Sequence, residues 1–300
     1  MQRNEPLGQA KALLYEHFGY SSFRGAQETL ISAILSGKDA LGIMPTGAGK
    51  SICYQIPGLM LPGITLVVSP LISLMQDQVR ALKAAGIAGA YLNSSLSYKQ
   101  YVKALDNARK GMYKIIYVAP ERLVTGEFQS FAASVPISLV AVDEAHCVSQ
   151  WGHDFRPSYM NIAPFVAMLP TRPVLAAFTA TATPAVREDI LCHLKLHDPE
   201  IAVTGFNREN LFFRVLKPTD KKAALLEFIA QHRDESGIVY CSTRSRVERV
   251  CSDLTLHGYN AARYHAGLSD EERAQSQDDF QFDRVQIMVV FYSILANICD

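Results

Sequence analysis

Short apolar runs rich in β-branched residues recur along this chain, spaced so that a helix fits between most neighbours. They read ALGIM (40–44), ITLVVS (64–69), AYLN (90–93), KIIYVA (114–119), LVAVD (139–143), VLAAFTA (174–180) and IAVTG (201–205). Stretches such as QDQVRALKAA and SYKQYVKALDNARK lie between them and read as amphipathic helices. Strand and helix in alternation predict a mainly parallel, doubly wound α/β sheet. Right-handed crossovers then gather the loops that follow the strands along one edge, where such sheets bind ligands.

The alternation pauses around GFNRENLFFRVLKPTDKK and resumes with GIVYC (237–241), AARYH (261–265) and VQIMVVF (285–291). This divides the chain into a first domain over 1–207 and a second over 208–300. Three runs against seven make the second short for an independent α/β domain. Residues 51–76 carry no charged side chain, long enough to span a bilayer. Pro57, Gly58, Pro62, Gly63 and Pro70 cut that stretch into a helix end, a turn, a strand and a loop, which fits a buried α/β core and no membrane partner.

Composition narrows the function little. The 300 residues hold 29 basic and 29 acidic side chains, so net charge gives no reason to expect nucleic acid. The polar start MQRNEPLGQAK lacks the apolar core of a secretory signal, and a cytosolic or otherwise intracellular location is expected. Six cysteines stand without a CxxC pair or matching histidine spacing, so neither zinc nor a disulfide is expected.

Chemistry enters at MPTGAGKS (44–51), which follows one strand and opens a helix. In a phosphate-binding loop, Thr46, Gly47, Ala48 and Gly49 bring backbone N–H groups to phosphate oxygens, and the helix N-terminus adds its dipole. Lys50 reaches the β- and γ-phosphates, and the Ser51 hydroxyl ligates Mg2+. Met44 stands where the strict pattern begins with glycine. A second strand ends in Asp143-Glu144-Ala-His146. At a strand's carboxyl end, Asp143 is placed to hold Mg2+ and Glu144 to orient and deprotonate a water; acids at a helix start are the plainer alternative.

The phosphate loop, DEAH, FTATAT (178–183) and VVSPLISLMQDQ (67–78) together resemble the ATP-driven helicases of superfamily two. FGYSSFRGAQ (18–27) and CVSQWGHDFRPSY (147–159) make the resemblance specific to RecQ DNA helicases, over about residues 10 to 289. It implies two RecA-like P-loop lobes with ATP and Mg2+ between them, and a 3′-to-5′ motor acting on single-stranded and partly duplex DNA in repair and recombination. It implies further that Tyr20 and Arg24 stack on adenine and that Gln27 reads the base edge. The family usually has Pro-Gly at Gly25-Ala26. Trp151, Phe155 and Arg156, with His153 and Asp154 beside them, would meet unpaired DNA, and His146 with Thr179, Thr181 and Thr183 would couple the two sites. Arg244 and His265 would face DNA phosphates or lie in solvated loops.

Beyond VQIMV the family continues with a threonine-containing glycine loop and an arginine segment that reaches the ATP, whereas this chain reads VVFYSILANICD. The expectation is a second lobe truncated within its sheet, with an atypical tail over 290–300, and an impaired ATPase. An ATP- and DNA-binding fragment without efficient turnover is the alternative. A small-molecule P-loop kinase is a further one, although it has no use for DEAH with TAT.

Overall fold

Each apolar run becomes a parallel strand. The computed structural model describes residues 5–152, 154–205 and 211–291. Two units form, Met1–Glu209 and Asn210–Asp300. The 207/208 boundary expected from sequence, His153 and most of the atypical tail (292–300) lie outside the described residues.

In the first unit the strands are β1 (Ala40–Ile43), β2 (Ile64–Val68), β3 (Gly89–Leu92), β4 (Ile115–Val118), β5 (Ile137–Val142), β6 (Val174–Thr179) and β7 (Glu200–Val203). They lie in the order β3-β4-β2-β5-β6-β1-β7, every pair parallel. The helices are α1 (Glu5–Phe18), α2 (Gln27–Leu35), α3 (Lys50–Met60), α4 (Ile72–Ala84), α5 (Tyr98–Arg109), α6 (Gly126–Ser134), α7 (Ile162–Met168) and α8 (Pro184–His193).

Alternate strand residues feed two cores. Leu41, Leu66, Val140 and Leu175 pack with Tyr101, Phe128, Phe165 and Ile190 of α5 to α8 on one face. Ala40, Val67, Leu139 and Phe178 pack with Leu30, Tyr54 and Val79 of α2 to α4 on the other. Both faces of the central strands are covered, which is why they are largely apolar, whereas the edge strand β7 carries Glu200 and leaves Ile201 and Val203 exposed. Each fully buried large side chain contributes about 1.5–3 kcal/mol.

Asp39, just before β1, locks the bottom of the sheet. Its side chain is 1% exposed and takes a bidentate Arg172 guanidinium at 3.1 and 2.6 Å. It also accepts the N–H groups of Leu175 (2.9 Å) and His197 (2.7 Å), tying β1 to β6 and to the approach of β7. One local expectation differs. Pro57 lies inside α3, which runs on to Met60; proline removes one N–H near the helix end, and the helix closes one turn later.

In the second unit β8 (Gly237–Cys241), β9 (Ala261–Tyr264) and β10 (Ile287–Phe291) form a parallel sheet in the order β8-β10-β9. This repeats the β2-β4-β3 arrangement of the first unit. The helices are α9 (Lys221–Gln231), α10 (Arg244–Leu256) and α11 (Asp270–Gln281). Ile229, Val247 and Leu254 cover Cys241, Ile287 and Val289 on one face, while Ile238 (49%) and Tyr240 (60%) on β8 stay exposed. Among the described residues no helix is long and apolar enough to cross a membrane.

Candidate active site

The strand order decides what meets at the sheet's carboxyl edge. β6 lies between β1 and β5, so the glycine loop after β1 and the acidic pair after β5 flank the Thr179 end of β6. Backbone bonds fix the arrangement: Met44 N–H donates to Thr179 O (3.0 Å) and Asp143 N–H to Val68 O (2.9 Å).

The loop is wound for close approach. Gly47 and Gly49 have φ of 82° and 75°, the left-handed region that side chains disfavour. A Cβ on Gly49 would lie 2.4 Å from Gln27 Nε2. Lys50 Nζ donates to Met44 O at 3.2 Å and folds across the cradle. Ser51 is the second residue of α3, whose first-turn N–H groups point into the loop.

Gln27 occupies a place the sequence does not reveal. Only 5% exposed, it accepts Arg24 N–H through Oε1 (2.8 Å) and donates Nε2–H to Ala48 O (3.1 Å) and Gly49 O (3.2 Å). Its amide ties the 19–26 loop to the phosphate loop. Arg24 stacks on the Tyr20 ring at 5.2 Å. Tyr20, Arg24, Gln27, Gly49, Ser51 and Gln55 line one cavity of about 270 Å3.

Asp143 is 7% exposed. Burial first, and then the neighbouring Glu144 carboxylate, push its carboxyl up to about 6, with Lys50 among the groups that oppose the rise. Tyr159 O–H donates to Asp143 O at 2.9 Å and fixes the backbone there. Glu144 has φ 47°, a strained value for a non-glycine residue, and it turns the chain sharply into a 3-10 turn over Ala145–Val148. His146 Nδ1 lies 2.9 Å from Thr179 Oγ1 and 3.3 Å from Glu144 Oε2. Because the Thr179 hydroxyl donates to Thr181 O (3.1 Å), it accepts from His146, so the proton sits on Nδ1. His146 therefore joins the acidic pair to the threonine segment. Thr183 serves as N-cap of α8, accepting Val186 N–H at 3.3 Å.

The three residues expected to meet DNA are held differently. Trp151 is 80% exposed. Phe155 is half-buried. Arg156 forks onto Asp154 Oδ2 (3.1 and 2.9 Å) and donates to Pro70 O (3.0 Å), pinning the loop to the segment before α4. His146, Cys147 and Asp154 offer three donor atoms within 4.8 Å of one another. Asp154 Oδ2 already accepts two Arg156 N–H groups, and burial pushes the Cys147 thiol up to about 12.

In the second unit His265 is buried, not solvated. Its Nε2 lies 2.7 Å from Glu248 Oε1, and Gly267 N–H donates to Nδ1 (3.1 Å). A concavity of about 970 Å3 between α10, β9 and α11 is lined by neither Arg244 nor His265.

The DEAD/DEAH box helicase family model matches residues 24–190, and the helicase conserved C-terminal domain model matches 220–297. The chain belongs to the DEAD/DEAH box helicase family. Within it, the resemblance to RecQ helicases holds along nearly the whole sequence. The chain is 46% identical to the ATP-dependent DNA helicase RecQ of Bacillus subtilis (strain 168) over 94% of its own length and 48% of that protein's. It is also 46% identical to the Pasteurella multocida (strain Pm70) RecQ, over 95% and 45%. The chain thus spans about half the length of these curated relatives. Among solved structures it superposes on Mycobacterium smegmatis helicase Lhr bound to ssDNA and AMP-PNP, with TM-score 0.72 and 22% identity over 96% of this chain and 42% of that one. Saccharomyces cerevisiae Dbp5 bound to RNA and ADP BeF3 gives 0.71 and 16%, over 96% and 75%. These superpositions identify the fold as the RecA-like one expected from sequence.

Proposed function

We propose that this chain is the ATP-binding motor portion of a RecQ-type helicase that uses ATP to move 3′ to 5′ on single-stranded DNA and separate partly duplex DNA inside the cell. The observation that carries the reading is the convergence of the glycine loop, Lys50, the Asp143-Glu144 pair and the His146–Thr179 bond on one sheet edge.

The residues fit MgATP. A loop wound through two left-handed glycines exposes N–H groups that suit phosphate oxygens. A buried carboxyl whose ionisation is opposed by burial and by Glu144 is relieved by a bound cation. In this reading Lys50 leaves Met44 O to meet the β- and γ-phosphates, and the backbone N–H groups of Thr46, Gly47, Ala48 and Gly49 line the cradle. Ser51 and Asp143 hold Mg2+, which neutralises developing phosphate charge when bound. Glu144 orients a water and accepts its proton, while His146 keeps Glu144 and Thr179 in register. Tyr20 and Arg24 open to take the adenine ring between them. Gln27 addresses the base edge through the second lone pair of Oε1, or through Nε2 after releasing a loop carbonyl. Base contact and loop shape are thereby linked. Trp151 and Phe155 stack on unpaired bases, and Arg156 sets their loop while lying close enough to its surface to meet a phosphate.

The test is steady-state ATP hydrolysis with and without single-stranded DNA, for the wild-type chain and Glu144→Gln. The reading predicts slow hydrolysis in the wild type, in keeping with a truncated second lobe, that the variant loses with or without DNA, with nucleotide affinity retained. Equal turnover by both proteins contradicts it.

A further inference from the structure

The exposed Trp151 indole stands on a turn whose anchorage belongs to neither the nucleotide machinery nor the stacking residues. Ser149 is fully buried. Its Oγ accepts the N–H of Trp151 (3.1 Å) and donates to Asp189 Oδ2 on α8 at 2.6 Å. Gly152 N–H donates to Ser149 O (3.1 Å). A Cβ on Gly152 would lie 2.7 Å from His146 O, so the turn sits hard against the DEAH backbone. One hydroxyl, used as both acceptor and donor, therefore fixes Trp151 relative to α8.

That fixing defines a space. Trp151 and Gly152 form one wall of a cavity of about 380 Å3, and Thr181, Thr183 and Val186 at the start of α8 form the other, with His146 between. Without the link the two walls belong to separate elements, a 3-10 turn with its loop and a helix. A hydrogen bond from a hydroxyl to a carboxylate is charge-assisted and stronger than a neutral one, which suits it to hold a short exposed turn against the thermal motion such turns show.

We propose that Ser149 and Asp189 are a positioning pair that docks the Trp151 turn on α8 and so frames the cavity in which the indole meets an unpaired nucleobase. The proposal rests on the reading that this loop binds single-stranded DNA. Neither residue touches DNA. Each acts through Trp151.

Trp151 is the single tryptophan of the 300 residues, so its fluorescence reports this turn alone. The anisotropy of the indole without DNA, and its quenching by oligo-dT at low salt, are measured for the wild type, Ser149→Ala, Asp189→Ala and Asp189→Asn. Affinity for a fluorescent ATP analogue is read in parallel, because a misfolded variant loses it too. Ser149→Ala and Asp189→Ala should lower the anisotropy and weaken oligo-dT binding by roughly 3- to 10-fold, the effect of re-ordering one side chain and its turn. Nucleotide affinity should not change. Asp189→Asn keeps an acceptor for the Ser149 hydroxyl and should restore both readouts. Unchanged anisotropy and DNA affinity in both alanine variants overturns the proposal, as does an Asp189→Asn protein as impaired as Asp189→Ala. A wild-type chain that holds its indole rigid yet ignores oligo-dT refutes the DNA reading instead, and the anisotropy comparison alone then decides the positioning role.

Discussion

Replacing Gln27 by alanine should damage the phosphate loop before it damages base selection. Three hydrogen bonds disappear, from Arg24 N–H and to Ala48 O and Gly49 O, at 2.8, 3.1 and 3.2 Å. At about 1 kcal/mol net for each bond, the first unit loses about 3 kcal/mol. For a unit of roughly 200 residues that lowers Tm by roughly 6–12 °C. Gln27→Glu should be worse, because a carboxylate still accepts from Arg24 N–H but faces two carbonyl oxygens at the positions where Nε2 now donates. A loosened loop holds triphosphate poorly whatever the base, and about 1.4 kcal/mol of lost loop order corresponds to a tenfold weaker complex. Thermal unfolding and titrations with fluorescent ATP and GTP analogues test this. The structure predicts a lower Tm and losses for both nucleotides, with ATP losing somewhat more because its base contact goes as well. An unchanged Tm with loss of ATP affinity alone would show that Gln27 acts as a base reader and that its loop bonds are incidental.

Three further outcomes are expected. Arg172→Met leaves the buried Asp39 carboxylate with two backbone donors and should destabilise the first unit by about 2–4 kcal/mol in urea unfolding, the lower end reflecting a guanidinium that is 36% exposed; adding Asp39→Asn should recover part of the loss. Trp151→Ala should weaken single-stranded DNA binding by about 1–3 kcal/mol for the base it stacks on, and wild-type affinity at low salt would remove Trp151 from the DNA site. Arg156→Lys should impair DNA binding as much as Arg156→Ala, since the fork to Asp154 and Pro70 rather than charge alone holds the loop; recovery by lysine would assign Arg156 to phosphate contact.

Much of the fold is legible because the central strands of the first unit are buried on both faces. Continuous apolar runs such as ITLVV and LVAV need no partner to be recognised, and the ten strands fall within a residue or two of the runs read from sequence. The end of α3 was harder to see. Pro57 breaks helices in isolation, yet near a helix end it removes only one hydrogen bond, and packing carries the helix past it. The site is legible where it depends on local pattern, as in Gly49-Lys50-Ser51 or Asp143-Glu144. It is not legible where it depends on pairs distant in sequence. The Ser149–Asp189, Arg156–Pro70 and Gln27–Gly49 bonds span 40, 86 and 22 residues, and no periodicity announces them. His265 shows the same limit, since a histidine after a strand looks solvated until α10 brings Glu248 against it.

The central claim is that the loop after β1 is a MgATP site governed by Lys50. It is tested most directly by titrating a fluorescent ATP analogue into the 300-residue chain and its Lys50→Ala variant, each with Mg2+ and with EDTA. The structure predicts saturable, Mg2+-dependent binding by the wild type and loss of at least an order of magnitude in the variant, because one charge-assisted contact to phosphate contributes about 1.5–3 kcal/mol. Equal affinity of the two proteins, or binding indifferent to Mg2+, would contradict it.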